Sequence, residues 1–494
     1  MFLNRKVYED KVKACWVGKN IGGTMGTPYE GKRELLDIKG FSTEKGVVLP
    51  NDDLDLQLIW LYALEHIGPH NITPEALGEF WTSFIIPHWN EYGVGKENLR
   101  RGIKAPASGD YDNDWWRDSN GAWIRTEIWA CVTPGIPNLT VKYAIADATV
   151  DHGAGEGTYA AMFVAAMQSA AFVLDDIFDC INIGLKCIPA DCRMAKSINI
   201  VLDCYKSGKT WLEARNIILD ANKDIGDGWF QAPSNVSYAV IGLLYGEGDF
   251  KKSMITAINC GDDTDCTGAT VGATLGILNG MAGIPSDWQE YIGDDIVTVC
   301  LPKCCAMGAY TPKTCTQLSE RVVELCQHVL YFYNITHDNV TFHKNIVELT
   351  DGEGSSKQDH ISRMDTAIAK RVPVLLDGLR PYTVSATNLL CEADVAPYEK
   401  PIAKPNSQIK YNVIVRTHWC LEHKPTAYKV RYIAPEGCYV DGPSSIITIP
   451  REELIKSFDI TLNIGDYHGD VDFIIELVAC GRSSTLYVPV KVLG

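Results

Sequence analysis

The segment Cys260-Gly-Asp-Asp-Thr-Asp-Cys266 places three carboxylates, those of Asp262, Asp263 and Asp265, within four residues. A second acidic cluster, Asn51-Asp52-Asp53, lies about two hundred residues earlier in the chain. Carboxylates this close repel one another, and hard divalent cations such as Mg²⁺, Mn²⁺ or Ca²⁺ relieve the repulsion because they prefer oxygen ligands. The two clusters therefore predict the two sides of one metal site.

Both clusters also stand where a helix would begin, which offers a second interpretation. Asp and Asn are favoured as N-caps, and negative charge is favourable in a first helical turn. Leu54, Leu58 and Leu61 form a helical stripe after the first cluster, and the run from Thr267 to Met281 follows the second. Local chemistry alone leaves helix capping and metal binding both open.

The run from Thr267 to Met281 predicts a tightly packed central helix. Small residues on one face of a helix let another backbone approach closely. The small residues of this run are Gly268, Ala269, Gly272, Ala273 and Gly276. The run is too short to span a bilayer.

Composition and charge narrow the class of protein. The chain has 494 residues and a formal net charge of −17, so we expect two or more domains. No basic stretch offsets this charge, which argues against a nucleic-acid partner and against binding to an anionic membrane surface. The N-terminus shows no secretory signal, and no apolar run reaches the length of a bilayer span. We therefore expect a cytoplasmic protein.

The seventeen cysteines are expected to be thiols in a reducing compartment. Most of them, such as Cys131, Cys180 and Cys204, stand in helical patterns and are predicted to be buried. The chain contains no Cys-x-x-Cys pair, which makes zinc unexpected.

The hydrophobic pattern changes character along the chain. Residues 1 to about 300 are predicted to be mainly helical, and one more helix is predicted over residues 318–334. In the first apolar run, which starts at Val12, we expect a break at Gly22-Gly23. Residues 351–358 have the composition of a linker.

From about Tyr382 onward, segments alternate in the manner of β-strands and are separated by Gly, Pro and Asn turns. We predict an all-α catalytic domain over residues 1–350, including a C-terminal helical extension. An antiparallel β-sandwich accessory domain is predicted over residues 380–494. This second domain contains neither a carboxylate cluster nor a nucleophile–base pair, so we expect it to dock a partner, build a homo-oligomer interface or shape a wall of the cleft.

Four short stretches together resemble the ADP-ribosylglycohydrolase family, of the dinitrogenase-reductase-activating glycohydrolase type. Gly18 to Gly31 (Gly-Lys-Asn-Ile-Gly-Gly-Thr-Met-Gly-Thr-Pro-Tyr-Glu-Gly) is similar to the family's G-x-x-x-G-D-x-x-G-x-P-x-E. Asn51-Asp52-Asp53 is similar to its T-D-D, and Ser119 to Arg125 (Ser-Asn-Gly-Ala-Trp-Ile-Arg) to its G-N-G-x-x-M-R. Gly261 to Cys266 is similar to G-G-D-T-D-T. The four stretches follow the family's order over roughly residues 8–290, and the β-sandwich lies outside the resemblance.

The resemblance implies an all-helical fold and a site for one or two divalent ions, Mg²⁺ or Mn²⁺. It also implies hydrolysis of the glycosidic bond that joins ADP-ribose to a protein or a small-molecule acceptor. By motif match, the metal ligands would be Asn51, Asp52, Asp53, Asp263, Asp265 and Cys266. The residues expected to take part in catalysis are Glu30, Asp53 and Asp263. Glu30 matches the family's acidic residue beside the metals, and it or a metal-bound water could act as the acid–base group that glycoside cleavage needs.

Further candidates for substrate binding each have a structural alternative. Ser119, Asn120 and Gly121 could offer backbone N–H groups to a substrate, or form a turn that needs positive φ. His152 and the run after it resemble the family's T-H segment, although a buried His is more often a packed one. Trp116 could stack on a sugar or adenine ring, although a core position is the commoner use of Trp.

Four positions depart from the family pattern. Gly23 stands in place of Asp, Asn51 in place of Thr, Ser119 in place of Gly, and Cys266 in place of Thr. An amide oxygen can still ligate a cation, whereas a thiol is a poor ligand for a hard one. We therefore expect either one tight and one weak metal position, or a different substrate.

Three functions stay open at this point. The first is a metal-dependent hydrolase that removes ADP-ribosyl groups. The second has the same fold and acts on another sugar, as a glycoside or nucleoside hydrolase. The third is a ligand-binding protein that has lost catalysis, which the intact Asp52, Asp53, Asp263 and Asp265 argue against.

Overall fold

The computed structural model describes residues 1–226, 228–301, 310–336, 347–418, 425–449 and 455–494, without the side chains of 334–336. The chain divides into two compact units, Met1–Leu379 and Arg380–Gly494. The first unit is helical and the second consists of antiparallel strands, as the sequence predicts. Within the described ranges, no helix has both the length and the apolar character needed to cross a membrane.

Helices α1 to α16 build the first unit. Their bounds are α1 Arg5–Gly26, α2 Asp52–Ile67, α3 Pro74–Phe84, α4 Asn90–Arg100, α5 Glu127–Val132, α6 Pro137–His152, α7 Glu156–Ala171, α8 Ile177–Leu185, α9 Arg193–Lys206, α10 Trp211–Ala221, α11 Ala232–Tyr245, α12 Phe250–Asn259, α13 Thr264–Asn279, α14 Ser286–Ile292, α15 Cys315–Thr336 and α16 Lys357–Asp377. A short parallel pair, β1 Phe2–Asn4 with β2 Glu348–Thr350, joins the two ends of this unit.

Side-chain caps set several of these helix starts. Asn51 caps α2, Thr73 caps α3 ahead of Pro74, and Asp249 caps α12. At α10, Thr210 and Glu213 form a reciprocal capping box. Each cap satisfies backbone N–H groups that a first helical turn leaves without partners.

The pair α1 and α13 forms the centre of the helical unit. A Cβ on Gly18 would lie 2.2 Å from the carbonyl oxygen of Gly272, and a Cβ on Gly22 would lie 2.1 Å from that of Gly268. The two helices therefore run antiparallel with their backbones in contact, and a larger side chain at either glycine would separate them. The predicted central helix is present, whereas the expected break at Gly22-Gly23 is wrong because these glycines pack against α13 inside an unbroken helix.

Helix α16 begins inside the stretch that has linker composition. It buries Met364, Ile368 and Val372 within the core of the first unit. Residues 357–377 therefore belong with the helices of the first unit, and the boundary between the two units falls at Leu379.

The second unit contains two antiparallel sheets around one apolar core. Its strands are β3 Val384–Thr387, β4 Cys391–Pro397, β5 Gln408–Thr417, β6 Thr426–Ile433, β7 Cys438–Asp441, β8 Ser445–Thr448, β9 Ile455–Ile464, β10 Val471–Ala479 and β11 Thr485–Val492. One sheet has the order β11-β10-β6-β8 and the other β3-β4-β5-β9-β7. Alternate residues of β5, β10 and β11 face the shared core, as the period of two in the sequence predicts.

Candidate functional site

A cavity of about 470 Å³ opens at the N-terminal ends of α2, α4 and α13. Its size falls in the usual range for small-molecule sites, roughly 300–1,000 Å³. The lining includes Glu30, Asp52, Asp263, Asp265 and Cys266, so both acidic clusters reach the same space.

The close approach of α1 and α13 explains this convergence. Gly26, at the end of α1, lies against Thr264, where α13 begins. Just beyond, the N–H of Gly31 donates to the carbonyl of Asp262 at 3.1 Å, and the N–H of Asp262 donates to the carbonyl of Lys32 at 2.7 Å. These two bonds hold Glu30 beside the loop that precedes α13.

Two groups of side chains could each hold a metal ion. One consists of Asp53, Asp265 and Cys266, and the other of Glu30, Asp263 and Asp265, with ligand atoms in each group lying within 4.8 Å of one another. Asp265 belongs to both groups. Its carboxylate could therefore bridge two neighbouring ions.

The buried carboxylate oxygens of this site fit a cation. Both oxygens of Asp53, Oδ1 of Asp263 and Oδ1 of Asp265 are buried without a hydrogen-bond partner. A buried, unpartnered carboxylate is costly unless a counter-charge compensates it. The donor set, mostly carboxylate oxygens, is the kind that Mg²⁺ and Mn²⁺ prefer.

The electrostatics of the metal-free site point the same way. Burial, with repulsion from Asp52, raises the pKa of Asp53 to about 7. Burial, with repulsion from Asp53 and Asp52, raises the pKa of Asp265 to about 7. Burial, with repulsion from Asp265 and Glu30, raises the pKa of Asp263. Repulsion from Asp265, followed by burial, raises the pKa of Glu30, which is the solvent-exposed member of the group.

Asn51 and Asp52 lie beside the two ligand groups. Asn51 is buried and its Oδ1 accepts from the N–H of Asp53 at 2.8 Å, so its amide oxygen caps α2. Asp52 lines the cavity and accepts from the hydroxyl of Tyr92 at 3.0 Å. For Asn51, the structure shows the capping interaction that the sequence leaves open.

Gly23 and Asn51, two of the departures from the family pattern, are in contact. A Cβ at position 23 would lie 1.7 Å from Nδ2 of Asn51. The Asn51 amide therefore occupies the space that a side chain at position 23 would need. The two departures are structurally coupled.

The loop Ser119-Asn120-Gly121 lines the cavity, where its residues mainly hold other site groups. Nδ2 of Asn120 donates to Oδ2 of Asp263 at 2.6 Å, and its Oδ1 accepts from the indole N–H of Trp123 at 3.0 Å. The N–H of Gly121 donates to Oε1 of Glu91 at 3.0 Å. The loop thus fixes the orientation of one carboxylate from each side of the cavity.

His152 and Trp116 are not among the described residues that line the cavity. His152 is fully buried, and its Nε2 lies 3.2 Å from the hydroxyl of Ser119. Its Nδ1 lies 2.9 Å from Asp151, a carboxylate that also pairs with the buried Arg125. His152 therefore lies behind Ser119, which lines the cavity. Trp116 contributes its carbonyl, which accepts from the same hydroxyl at 2.5 Å.

Three aromatic side chains that the sequence analysis missed line the cavity, those of Trp89, Tyr92 and Phe230. Trp89, which is 46% exposed, precedes α4, and Phe230 precedes α11. Phe230 has a φ of 52°, and its N–H donates to Asp262 at 3.3 Å. The rings of Trp89 and Phe230, rather than that of Trp116, line the cavity where they could contact a bound molecule.

Glu91 is a further lining residue that the sequence analysis missed. It lies in the first turn of α4, is 6% exposed, and its Oε2 is buried without a hydrogen-bond partner. Burial raises its pKa. A single Glu between Trp, Asn and Tyr carries no local signal, because only the fold brings it to the Gly121 loop.

A comparison with protein families identifies the chain. The model described as ADP-ribosylglycohydrolase matches residues 4–327. The chain belongs to the ADP-ribosylglycohydrolase family. This match covers both ligand groups, Glu91 and the Gly121 loop, and the second unit lies beyond it.

Two solved structures show weak similarity to parts of the chain. A solved structure described as an ADP-ribosylglycohydrolase-related protein complex shares 19% identity, over 65% of this chain and 99% of its own, with a TM-score of 0.44. The GAE domain of GGA2p from Saccharomyces cerevisiae shares 10% identity, over 22% of this chain and 96% of its own, with a TM-score of 0.17. No curated protein matches the chain. ADP-ribosylglycohydrolase membership supports a glycohydrolase activity, and the acidic groups of the site could bind a metal.

Proposed function

We propose that this protein is a metal-dependent hydrolase that cleaves the glycosidic bond between ADP-ribose and an acceptor, either a protein side chain or a small molecule. One observation carries the proposal: Asp265 is shared by two groups of possible ligands, which include buried, unpartnered carboxylate oxygens and reach one cavity, in a member of the ADP-ribosylglycohydrolase family.

Glu30, Asp53, Asp263, Asp265 and Cys266 would hold one or two divalent ions, Mg²⁺ or Mn²⁺ in the first instance. Such ions, when bound, polarise substrate oxygens and lower the pKa of a water molecule. Asn51 and Asp52 would support the site from the start of α2, one by capping the helix and the other from the cavity wall.

The protein's own side chains would manage protons and orientation. Glu91 is held by the N–H of Gly121 and keeps a second oxygen free, so it could hold a proton near a leaving group or accept one from a sugar hydroxyl. Glu30, at the solvent-exposed edge of its group, could exchange protons with water. Asn120 would keep Asp263 in one orientation during turnover.

The cavity walls would exclude water and position the substrate. Trp89 and Phe230 could cover a planar or sugar ring, and the loop Ser119-Asn120-Gly121 forms another part of the cavity wall. The β-sandwich of residues 380–494 is proposed to take no part in the chemistry and to serve partner docking or self-association.

The test is a release assay with chromatographic detection of free ADP-ribose. Metal-free protein would be supplied with Mg²⁺ or Mn²⁺ and with ADP-ribosylated peptides that carry different acceptor residues. We expect metal-dependent release with at least one acceptor. A parallel assay with nucleosides and simple glycosides checks the alternative substrate class, since cleavage of those compounds alone would replace ADP-ribose in the proposal.

A further inference from the structure

The two ligand groups of the site differ in their chemistry. Glu30, Asp263 and Asp265 offer oxygen only, whereas the other group adds the sulfur of Cys266 to Asp53 and Asp265. The cation preference of a site follows its donor atoms, so the two positions should not select the same ion.

Cys266 packs in the core of the helical unit and also lies where its sulfur could act as a ligand. It lies in the first turn of α13 next to Asp265, is 5% exposed, and lines the cavity. Its sulfur belongs to a group whose atoms lie within 4.8 Å of one another. Both oxygens of Asp53, in the same group, are buried and unpartnered. The thiol and the free carboxylate therefore face a common point that an ion could reach from the cavity.

Thiolate sulfur changes the order of cation affinity. Mg²⁺ demands oxygen ligands and gains little from sulfur, whereas Zn²⁺ and Co²⁺ accept mixed sulfur and carboxylate donors. The absence of a Cys-x-x-Cys pair argues against a structural zinc site with several thiolates. The absence of such a pair does not argue against a site that combines one thiolate with carboxylates.

We propose that Cys266 is a thiolate ligand that makes the two metal positions unequal. The group of Asp53, Asp265 and Cys266 takes Zn²⁺ or another thiophilic divalent ion, and the group of Glu30, Asp263 and Asp265 takes Mg²⁺ or Mn²⁺. Ligation replaces the S–H bond by a sulfur–metal bond and releases the proton to solvent. This inference rests on the proposed function, because it assigns ions to the same site.

The test uses Co²⁺ as a spectroscopic probe on the full-length, metal-free protein. Thiolate ligation gives a near-ultraviolet charge-transfer band that carboxylate ligation does not give. We expect the band in the wild-type protein and its loss in both Cys266→Ser and Cys266→Thr. We also expect Zn²⁺ affinity to fall by about 100-fold in these variants while Mg²⁺ affinity changes by less than about threefold.

The matched control is Cys260→Ser. Cys260 is also fully buried, and its thiol donates to the carbonyl of Thr256 at 3.4 Å, outside both ligand groups. This variant should keep the band. Circular dichroism and thermal melting show whether each variant is folded, and the inference is decided on whichever of Cys266→Ser and Cys266→Thr is folded.

Two results would overturn the inference. One is stoichiometric Co²⁺ binding to wild-type protein without the charge-transfer band. The other is a band that persists in folded Cys266→Ser. The inference and the proposed function can fail separately. Metal-dependent release of ADP-ribose without the charge-transfer band would contradict only the thiolate ligand, and the band without hydrolysis would contradict only the proposed function.

Discussion

The two units of this chain differ in how their acidic side chains are paired. In the sandwich, Arg416 pairs with Glu392 and Asp394, and Asp459 accepts hydrogen bonds from Tyr398 and Asn412. These hydrogen bonds lower the pKa of Asp459. None of the described residues of this unit is a buried carboxylate.

In the helical unit, burial and mutual repulsion raise the pKa of Asp263 and its neighbours, and several of their oxygens have no partner. The helical unit does pair other buried acids: Glu127 lies 3.1 Å from the buried Lys19. Oxygens of the carboxylates around the cavity, those of Asp53, Asp263, Asp265 and Glu91, have no such partner, and neither has one oxygen of Asp55 on the same helix as Asp53. Among the described residues, the buried carboxylate oxygens without a partner therefore cluster around the cavity and the start of α2, where an ion and a substrate would bind.

The largest effect should come from removing the shared carboxylate. Asp265→Asn should lower kcat/KM by about 10³-fold or more, because both ligand groups lose a charged donor. The metal-free variant should melt at a temperature equal to or above that of wild type, since repulsion is relieved. Its melting temperature should no longer rise when Mn²⁺ is added.

The control for this variant is Asp203→Asn, an exposed position on α9. It should leave both activity and the metal response unchanged. An Asp265→Asn protein that retains wild-type metal-dependent turnover would remove Asp265 from the site.

Glu91→Gln tests whether the second carboxylate takes part in the reaction. The amide keeps the bond from Gly121 but cannot exchange a proton, so kcat should fall by about 10²-fold with little change in metal affinity. Glu97→Gln, on the exposed side of the same helix, is the matched control. Equal kcat values for the two variants would reduce Glu91 to a structural role.

The contact between Gly23 and Asn51 can be broken and then repaired. Gly23→Ala should destabilise the protein by about 1–3 kcal/mol, because the new methyl group overlaps the Asn51 amide. The double variant Gly23→Ala/Asn51→Thr should recover much of this loss, since Thr is shorter and can still cap α2. Gly40→Ala, where nothing lies within 4 Å of the added Cβ, is the neutral control. Additive single effects in the denaturant midpoints would contradict the coupling.

The sequence predicts the two-part architecture because the periodicities of helix and strand are local properties. The sequence also predicts that Asp53, Asp263 and Asp265 converge on one metal site. This prediction depends on the family resemblance, because helix capping explains each acidic cluster equally well. Glu91, Trp89 and Phe230 escape prediction because the fold alone brings their separate segments to one cavity.

Helix continuity was predicted wrongly at Gly22-Gly23 for a related reason. Glycine lowers local helix propensity, and the compensating contact with α13 comes from residues far along the chain. His152 was expected at the substrate and lies instead behind Ser119, since a sequence motif does not show which way a side chain faces.

The pH dependence of the metal-free protein should reveal the same carboxylates. Asp53 and Asp265 have folded pKa values of about 7, above the value of about 4 for an unfolded chain. Their stabilising contribution is therefore complete below about pH 4 and is lost as the pH rises through about 7, and the loss is on the order of 4 kcal/mol per carboxylate.

Thermal melts in chelator at about pH 5 and about pH 8 measure this loss, and Asp53→Asn should make it smaller. Saturating Mn²⁺ should remove most of the loss at the higher pH because bound cations favour the ionised carboxylates. A wild-type protein whose metal-free stability does not fall over this interval would show that these acids are compensated in another way.

Removing the second unit should have the smallest effect on the chemistry. A chain that ends at Leu379 keeps α16, whose buried face of Met364, Ile368 and Val372 packs in the helical core. A cut within residues 351–358 would instead expose that apolar face and destabilise the truncated protein.

The chain that ends at Leu379 should bind Mn²⁺ and hydrolyse a small substrate at a rate within about twofold of the full-length protein, because the described site residues all precede Leu379. Calorimetric titration and the release assay would be run on both chains. A folded truncation that has lost its metal response would show that the sandwich contributes to the metal site. The second unit could then no longer be regarded as a purely accessory domain.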